Sequence, residues 1–227
     1  VASLVGSEMC IRDSEYPESF EVCAESIRRF NPNHEIIPLV KSELEEKGLY
    51  TREYQGESTD FAFTRFLVPF LSDYKGYALF CDGDFMWRCD PQEIEDYAKQ
   101  SNYSPSVWVV KHPPFLTTPY KKMKGKANMS YPKKYWSSLM YFNNDKCFSL
   151  TSDLVNSWSG KDLHEFAWAS EIGDLPAEYN AMVNYYKFPN AKAVHFTDGG
   201  PWLDIHDDML YSTEWLKIYK NLQKAKE

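Results

Sequence analysis

A short apolar run at positions 77–81, YALFC, restricts the fold of this chain more than any other feature. It follows Gly76 and stops at Asp82, Gly83 and Asp84. An apolar run of this length without alternation is typical of a strand covered on both faces, as in α/β sheets. Two carboxylates directly after such a strand lie at its carboxyl end, where ligands of open α/β sheets usually bind. The sequence therefore predicts an α/β fold with a ligand site at Asp82 and Asp84.

Helix-like and strand-like segments alternate along the rest of the chain. Apolar residues recur at helical spacing over 19–30 and 58–74. Short apolar runs predict strands at 35–39, 107–110, 138–142 and 193–196. A Pro- and Lys-rich stretch at 112–134 predicts a long loop that closes over a ligand. The alternation predicts a mainly parallel central sheet with helices on its faces.

Composition limits the chain to one domain and excludes some partners. The 227 residues, 43% of them hydrophobic, supply one sizeable core. The net charge of -8 argues against nucleic acid as a partner. No window approaches the about 20 consecutive apolar residues of a transmembrane helix. Five cysteines without a CxxC pair indicate a reducing compartment. We expect a cytoplasmic protein, with any membrane association peripheral at the inner membrane.

The two carboxylates after the apolar run suggest a metal site. Carboxylate oxygens are hard ligands that suit Mg²⁺ or Mn²⁺, and such ions are often held partly by the phosphates of a substrate. Gly83 between the carboxylates lets a ligand or the backbone approach closely. Acidic residues are also common in turns after strands, so the pair alone leaves a simple acidic turn as the alternative.

Three strings, in the same order along the chain, resemble the glycosyltransferases of family 8. They are FTRFLVPFLSDYKGYALFCDGDFMWRCD at 63–90, YPKKYWSSLMYFNND at 131–145 and VHFTDGGPW at 194–202. Together they are similar to a group of mostly uncharacterised bacterial glycosyltransferase-like proteins over nearly all of residues 15–227. The resemblance implies a single GT-A domain, the Rossmann-like fold of nucleotide-diphospho-sugar transferases. It also implies a hexosyltransferase that moves sugar from a nucleotide-sugar, expected to be a UDP-sugar, to an unknown glycan, lipid or protein acceptor, with retention of configuration.

The resemblance further implies roles for individual residues. Mn²⁺ or Mg²⁺ is expected at Asp82, Asp84 and His195, because a cation there stabilises the charge of the departing diphosphate. The residues expected to bind the donor are Arg65, Asp82, Gly83, Asp84, Gly199 and Gly200. The candidates for sugar or acceptor contacts are Trp136, Ser137, Trp202 and Glu171. No catalytic residue is assigned. Arg65 has a surface ion pair on a helix as its alternative, and His195 a buried structural role.

Two features depart from the family pattern. Gly200 stands where a lysine usually precedes Pro-Trp and contacts the diphosphate. Residues 1–14, VASLVGSEMCIRDS, resemble translated sequencing-adapter DNA and lack the unbroken apolar segment of a signal peptide. We predict that residues 1–14 are non-native and that 15–227 form a GT-A domain without its first strand. Within residues 1–14, Val1–Val5 is the only strand candidate.

Two other functions compete with sugar transfer. A phosphatase of the haloacid-dehalogenase type uses the first aspartate of such a pair as nucleophile and the second as acid and base. Its motif normally lies near the start of its domain and is followed by Thr or Val, whereas Phe85 follows here. The second alternative is a catalytically weak or inactive protein of the same fold that binds nucleotides or sugars, and measuring UDP release separates it from a transferase.

Overall fold

The computed structural model describes residues 8–12, 16–53, 62–113, 132–185, 188–203 and 209–226. The strands are β1 (Glu8–Arg12), β2 (Ile36–Leu39), β3 (Tyr77–Cys81), β4 (Phe85–Trp87), β5 (Val107–Val109), β6 (Leu139–Asn143), β7 (Ile172–Asp174), β8 (Ala181–Met182) and β9 (Ala193–His195). The α-helices are α1 (Pro17–Arg28), α2 (Lys41–Glu46), α3 (Val68–Leu71), α4 (Ile94–Gln100), α5 (Ser152–Ser157), α6 (Gly160–His164) and α7 (Ser212–Lys226). Short 3₁₀ helices cover Thr64–Leu67, Pro91–Glu93, Lys134–Ser138, Asn144–Lys146 and Ala177–Asn180.

A six-stranded sheet in the order β2-β1-β3-β6-β5-β7 forms the centre of the molecule. The β1–β2, β1–β3 and β5–β7 pairings are parallel. Strand β6 runs antiparallel to both of its neighbours, β3 and β5. The predicted α/β fold with a mainly parallel sheet is therefore confirmed. Because β6 reverses direction, β3, β5 and β7 all point the same way.

Strand β3 carries apolar side chains on both faces because both faces are covered. Phe80 belongs to the apolar cluster that contains Phe66, on one face of the sheet. Leu79 belongs to the cluster that contains Trp87, on the other face. Successive side chains of a strand point to opposite faces, so burial on both faces removes the usual alternation of polar and apolar residues. The continuous apolar run of the sequence is explained by this arrangement.

A second sheet has three strands in the order β4-β9-β8. Its strand β4 follows β3 closely along the chain. Strand β4 begins immediately after the Asp82–Asp84 turn and pairs antiparallel with β9, so that Phe85 faces His195. Strand β8 pairs parallel with β9 on the other side. Helix α1 packs against β4 and α7. The small sheet therefore brings residues from the end of the chain to the end of β3.

The first strand differs from its prediction. It covers Glu8–Arg12, while residues 1–7, which include the expected candidate Val1–Val5, lie outside the described residues. Strand β1 pairs parallel with β2 and β3, and Met9 lies opposite both Ile36 and Leu79. Strand formation depends strongly on the neighbours that a segment meets, and here two edges are available for pairing. That residues 1–14 are non-native stays a prediction, but the sheet has a strand at this place.

Two further predictions fall partly outside the described residues. Residues 58–61 of the predicted helix over 58–74 are not described, and its remainder forms a 3₁₀ turn followed by α3. Most of the predicted loop, residues 114–131 with its lysines at 121–126, is likewise not described. Among the helices of the described residues, none combines the length and apolar character that crossing a membrane requires.

Replacing Met9 by Ala should lower the free energy of unfolding by about 2–5 kcal/mol, because the side chain fills the core between α1 and the sheet. Met9 is 1% exposed. Urea denaturation followed by circular dichroism measures the change. Leu71→Ala is the control, since Leu71 is 40% exposed and should change stability much less. Equal effects of the two substitutions would show that β1 contributes nothing to the fold.

Candidate functional site

The turn after β3 carries two carboxylates at the carboxyl end of this inner strand. The Asp82 amide donates to the Ser138 carbonyl at 3.0 Å, and the Phe85 amide donates to the Asp82 carbonyl at 3.3 Å. The hydroxyl of Ser19, in the first turn of α1, donates to the Gly83 carbonyl at 2.6 Å. The backbone of the turn is thus held by hydrogen bonds to the residue before β6, within the turn itself, and to α1.

His195 reaches this turn through the pairing of β4 with β9. The Phe196 amide donates to the Asp84 carbonyl at 3.0 Å, and the imidazole stacks on the Phe85 ring at 4.4 Å between centroids. Its Nε2 atom lies 3.3 Å from Asp84 Oδ1. One ligand atom from each of Asp82, Asp84 and His195 lies within 4.8 Å of the others. Ligand atoms about 2.0–2.6 Å from one ion lie up to about 4–5 Å apart, so the spacing of the three groups is compatible with a divalent cation.

Asn180, which the sequence did not indicate, sets the orientation of the histidine ring. Its Nδ2 donates to the Ser138 hydroxyl at 2.8 Å, and that hydroxyl donates to the Tyr135 carbonyl at 2.7 Å. The amide oxygen therefore faces His195 Nδ1, at 2.9 Å. An amide oxygen only accepts, so Nδ1 donates this bond, and Nε2 is the ring nitrogen that faces Asp84. A metal-binding histidine is usually held in this way by an acceptor behind the ring.

A second histidine, His112, lies behind the same asparagine. It follows β5, is 3% exposed, and is hydrogen-bonded to Asn180. Burial, together with the neighbouring His195, lowers the pKa of His112 to about 3. The ring is therefore neutral at physiological pH. No spacing in the sequence pointed to His112 or Asn180, because the contact arises from strand order and each is a common polar residue after a strand or turn.

Arg65 balances the charge of Asp82. Its Nη2 lies 2.9 Å from Asp82 Oδ1, and its Nη1 donates to the Ser137 carbonyl at 2.7 Å and to Asp82 Oδ2 at 3.4 Å. The guanidinium also lies over the Phe80 ring, 5.1 Å from its centroid. Both charged side chains are almost fully buried. Arg65 thus forms an ion pair, as the alternative interpretation held, but the pair is buried in the site and not on a helix surface.

Two of the residues predicted to contact sugar or acceptor have other partners. The Ser137 side chain is fully buried, and its hydroxyl is bonded to His164 Nδ1 at 2.7 Å. A ligand contact through that hydroxyl is not supported, because it has no exposed surface. Trp136 is half-buried and donates from Nε1 to the His112 carbonyl at 2.9 Å. Lys133 donates a hydrogen bond to the Glu165 carbonyl at 3.1 Å.

The structure gives a packing reason for the unexpected Gly200. A Cβ atom at this position would lie 2.3 Å from the Trp202 ring. Trp202 is half-buried and packs against Trp215 and Phe196, with ring centroids 5.6 Å and 6.0 Å away. Gly199 has a φ of 111°, which a glycine adopts without strain. A lysine at 200 would require the indole to move, so the absence of this charge follows from how Trp202 packs.

Glu171 does not lie with the other predicted residues. It precedes β7 and accepts a hydrogen bond from the Ser104 hydroxyl at 2.6 Å. Strands β3, β5 and β7 point the same way. A residue before β7 is therefore at the opposite end of the sheet from Asp82, which follows β3. The strand order thus separates Glu171 from the carboxylate pair.

The fold is that of the GT-A glycosyltransferases. The WbbM bifunctional glycosyltransferase superposes with a TM-score of 0.66 at 15% identity, over 95% of this chain and 50% of that one. GlyE of Streptococcus pneumoniae TIGR4 gives 0.57 at 13% identity, over 94% and 61%. The galactosyltransferase LgtC, in complex with donor and acceptor sugar analogs, gives 0.53 at 13% identity, over 94% and 95%. The chain spans less than two thirds of WbbM and GlyE, and identities this low establish the fold alone.

The chain belongs to the family of Protein CDI from Arabidopsis thaliana, with which it shares 37% identity over 220 residues, 91% of this chain and 83% of the plant protein. No family model matches the chain. The relative is a plant protein, whereas the sequence motifs suggested bacterial proteins. Bacterial origin and membership of family 8 therefore stay predictions.

Replacing Arg65 by Met should lower the free energy of unfolding, measured by urea denaturation in EDTA, by about 3–5 kcal/mol, because the buried Asp82 charge loses its partner. Arg28→Met, on the exposed face of α1, should change it by about 0.5 kcal/mol or less. Adding Asp82→Asn to Arg65→Met should recover part of the loss. If Arg65→Met unfolds at the same urea concentration as Arg28→Met, the ion pair does not stabilise the site.

Proposed function

We propose that this protein is a metal-dependent glycosyltransferase of the hexosyltransferase type, which moves a sugar from a UDP-sugar to a glycan, lipid or protein acceptor with retention of configuration. The observation that carries the proposal is the convergence of Asp82, Asp84 and His195 at the carboxyl end of β3, in a GT-A fold. LgtC, which shares the fold, was solved with donor and acceptor sugar analogs. That neighbour supports a nucleotide-sugar as the class of donor.

Asp82, Asp84 and His195 would hold Mn²⁺ or Mg²⁺. When bound, a divalent cation stabilises the negative charge that develops on a leaving diphosphate. The carboxylates of Asp82 and Asp84 and the guanidinium of Arg65 together carry a formal charge of -1. A divalent cation changes this to a net positive site, which is complementary to a diphosphate. Arg65 thereby prevents the two carboxylates from repelling the donor.

The remaining parts of the site act by positioning. Asn180 holds the His195 ring so that Nε2 points toward Asp84. Ser19 and Ser138 fix the backbone of the turn that carries both carboxylates. We propose that Gly199 and Gly200, on the turn after β9, lie beside the diphosphate. In the transfer, the bond from the anomeric carbon to the diphosphate oxygen breaks, the acceptor oxygen forms the new bond to that carbon, and the proton of the acceptor hydroxyl passes to the departing diphosphate.

We also propose a cytoplasmic location. The four cysteines whose side chains are described, Cys23, Cys81, Cys89 and Cys147, are all free and buried. Free buried thiols support a reducing compartment, because oxidising compartments favour disulfides. Purification of the protein from membrane and cytosolic fractions of its host tests this location directly.

Gly200 favours a second candidate function, a nucleotide-sugar-binding protein of the same fold with weak or no turnover. The described site lacks the lysine that usually precedes Pro-Trp at this point. Both candidates bind a metal and a nucleotide, so binding alone does not separate them. Release of UDP from UDP-sugars in the presence of Mn²⁺, at a rate that falls when Asp84 is replaced, would favour the transferase.

UDP should bind more tightly with Mn²⁺ than in EDTA, because the cation joins the carboxylates to the diphosphate. Isothermal calorimetry measures both affinities. Asp84→Ala should lower the affinity in Mn²⁺ by about tenfold or more, since even the groups behind metal ligands have effects of that size. Asp174→Ala is the matched control. Asp174 lies at the carboxyl end of β7, which points the same way as β3, but its side chain is 72% exposed. Equal affinities in Mn²⁺ and EDTA would contradict the proposed site.

A further inference from the structure

Strands β8 and β9 leave the metal site side by side. They are parallel, with Met182 opposite His195, and the Val183 amide donates to the His195 carbonyl at 3.1 Å. The chain therefore continues from both strands in the same direction, beyond the level of His195. Tyr185 follows β8 and Asp198 follows β9 on these two adjacent segments.

Tyr185, Asp198 and Tyr135 form a polar group that no part of the proposed metal site uses; we call it the tyrosine–aspartate cluster. The Tyr185 hydroxyl donates to the Asp198 carboxylate and shares a second hydrogen bond with the Tyr135 hydroxyl. Besides burial, both contacts raise the pKa of Tyr185 and so favour its protonated form, which means that its one hydroxyl proton is shared between the Asp198 carboxylate and the Tyr135 oxygen. The two rings lie 6.1 Å apart. Burial, and next the charge of Asp198, raise the pKa of Tyr185, which keeps it a hydrogen-bond donor.

The cluster is attached to the metal site from two sides. The Tyr135 carbonyl accepts from the Ser138 hydroxyl, and the Ser138 carbonyl accepts from the Asp82 amide. On the other side, the Gly199 amide donates to the Phe196 carbonyl at 2.9 Å, which closes a turn around Asp198. The Phe196 amide in turn donates to the Asp84 carbonyl. The cluster thus adjoins both carboxylates through short backbone connections.

The chemistry of the cluster restricts what it can bind. Asp198 is half-buried. A carboxylate has about four acceptor sites, and the Tyr185 hydroxyl uses one of them. A carboxylate repels phosphate but accepts strong hydrogen bonds from hydroxyl groups. The partly buried Tyr185 ring, which packs on the buried Tyr135, offers apolar surface beside it. A neutral molecule with several hydroxyl groups and apolar faces, which is a sugar ring, matches these properties.

We propose that Asp198, held by Tyr185, binds hydroxyl groups of the sugar of the donor, and that the Tyr185 ring, supported by the buried Tyr135, forms one wall of this subsite. The inference rests on the proposed function, which puts the diphosphate on Asp82, Asp84 and His195. The sugar is joined directly to that diphosphate, so it lies within reach of residues that adjoin the metal ligands. A hydroxyl-bearing acceptor would have the same chemistry, and the experiment separates the two.

The experiment compares UDP with UDP-sugars by calorimetry in Mn²⁺. The probes are UDP, UDP-glucose, UDP-galactose and UDP-N-acetylglucosamine, and the sugar nucleotide that binds wild type most tightly is used for the variants. Asp198→Asn should weaken its binding by about tenfold or more, the effect of losing a hydrogen bond to a charged group. The affinity for UDP should change by about twofold or less, because UDP lacks the sugar. Tyr185→Phe should have a smaller effect in the same direction.

Asp174→Asn is the control and should leave both affinities unchanged, since that carboxylate is exposed at the end of β7. If Asp198→Asn weakens UDP and the UDP-sugar equally, or changes neither, the donor-sugar assignment is overturned. An unchanged donor affinity with a raised KM for the acceptor would assign Asp198 to the acceptor and would also overturn it. If the wild-type protein binds none of the probes in a Mn²⁺-dependent manner, the proposed function itself fails. That result concerns the wild type and is therefore distinct from a failure of the Asp198 assignment, which is measured as a change of affinity in the variants.

Discussion

The rest of the site depends on the mutual repulsion of two carboxylates, Asp82 and Asp84, at the end of a strand that is covered on both faces. Like charges this close in a region of low dielectric constant are unfavourable unless positive or polar groups surround them. Arg65 supplies the positive charge on one side. His195 supplies a ligand on the other side, and β4–β9 pairing brings it there from more than 100 residues along the chain. The small sheet therefore positions His195 beside the two carboxylates at the end of β3.

Polar contacts behind these groups connect three strand ends. Asn180 is hydrogen-bonded to His195 at the end of β9, to Ser138 before β6 and to His112 after β5. Because each bond determines the orientation of the next group, the network allows one arrangement of the His195 ring. A site of this kind is rigid before any ligand binds, which is favourable for transition-state stabilisation since little reorganisation is then required.

The sequence was informative wherever the signal is local. The apolar run of β3 and the carboxylates after it predicted the central strand and the site, because burial on both faces and the strand end are properties of adjacent residues. The string around His195 predicted its place through resemblance to known enzymes. Strand β1 could not be placed, since Glu8–Arg12 forms a strand only because β2 and β3 both pair with it. Glu171 was misplaced because the order and direction of strands decide which end of the sheet a residue occupies.

Asn180, His112 and Asp198 were missed for a related reason. Asn180 and His112 lie in polar segments without a motif, and Asp198 lies within the string at 194–202 but was given no role of its own. The importance of each comes from contacts across the fold. Gly200 illustrates the reverse case. The sequence showed a missing lysine, and the packing of Trp202 against Trp215 shows that a side chain at 200 would require the Trp202 indole to move.

Pulsed electron paramagnetic resonance of Mn²⁺ bound together with UDP tests the central claim most directly. If Asp82, Asp84 and His195 hold the cation against the diphosphate, the Mn²⁺ signal should show coupling to a histidine nitrogen and to phosphorus in the same complex. Labelling histidines with ¹⁵N identifies the nitrogen, and His195→Gln should remove that coupling while some coupling to phosphorus remains. Coupling to phosphorus without any histidine nitrogen in the wild-type protein would contradict the account, because the cation would then be bound to the nucleotide away from His195.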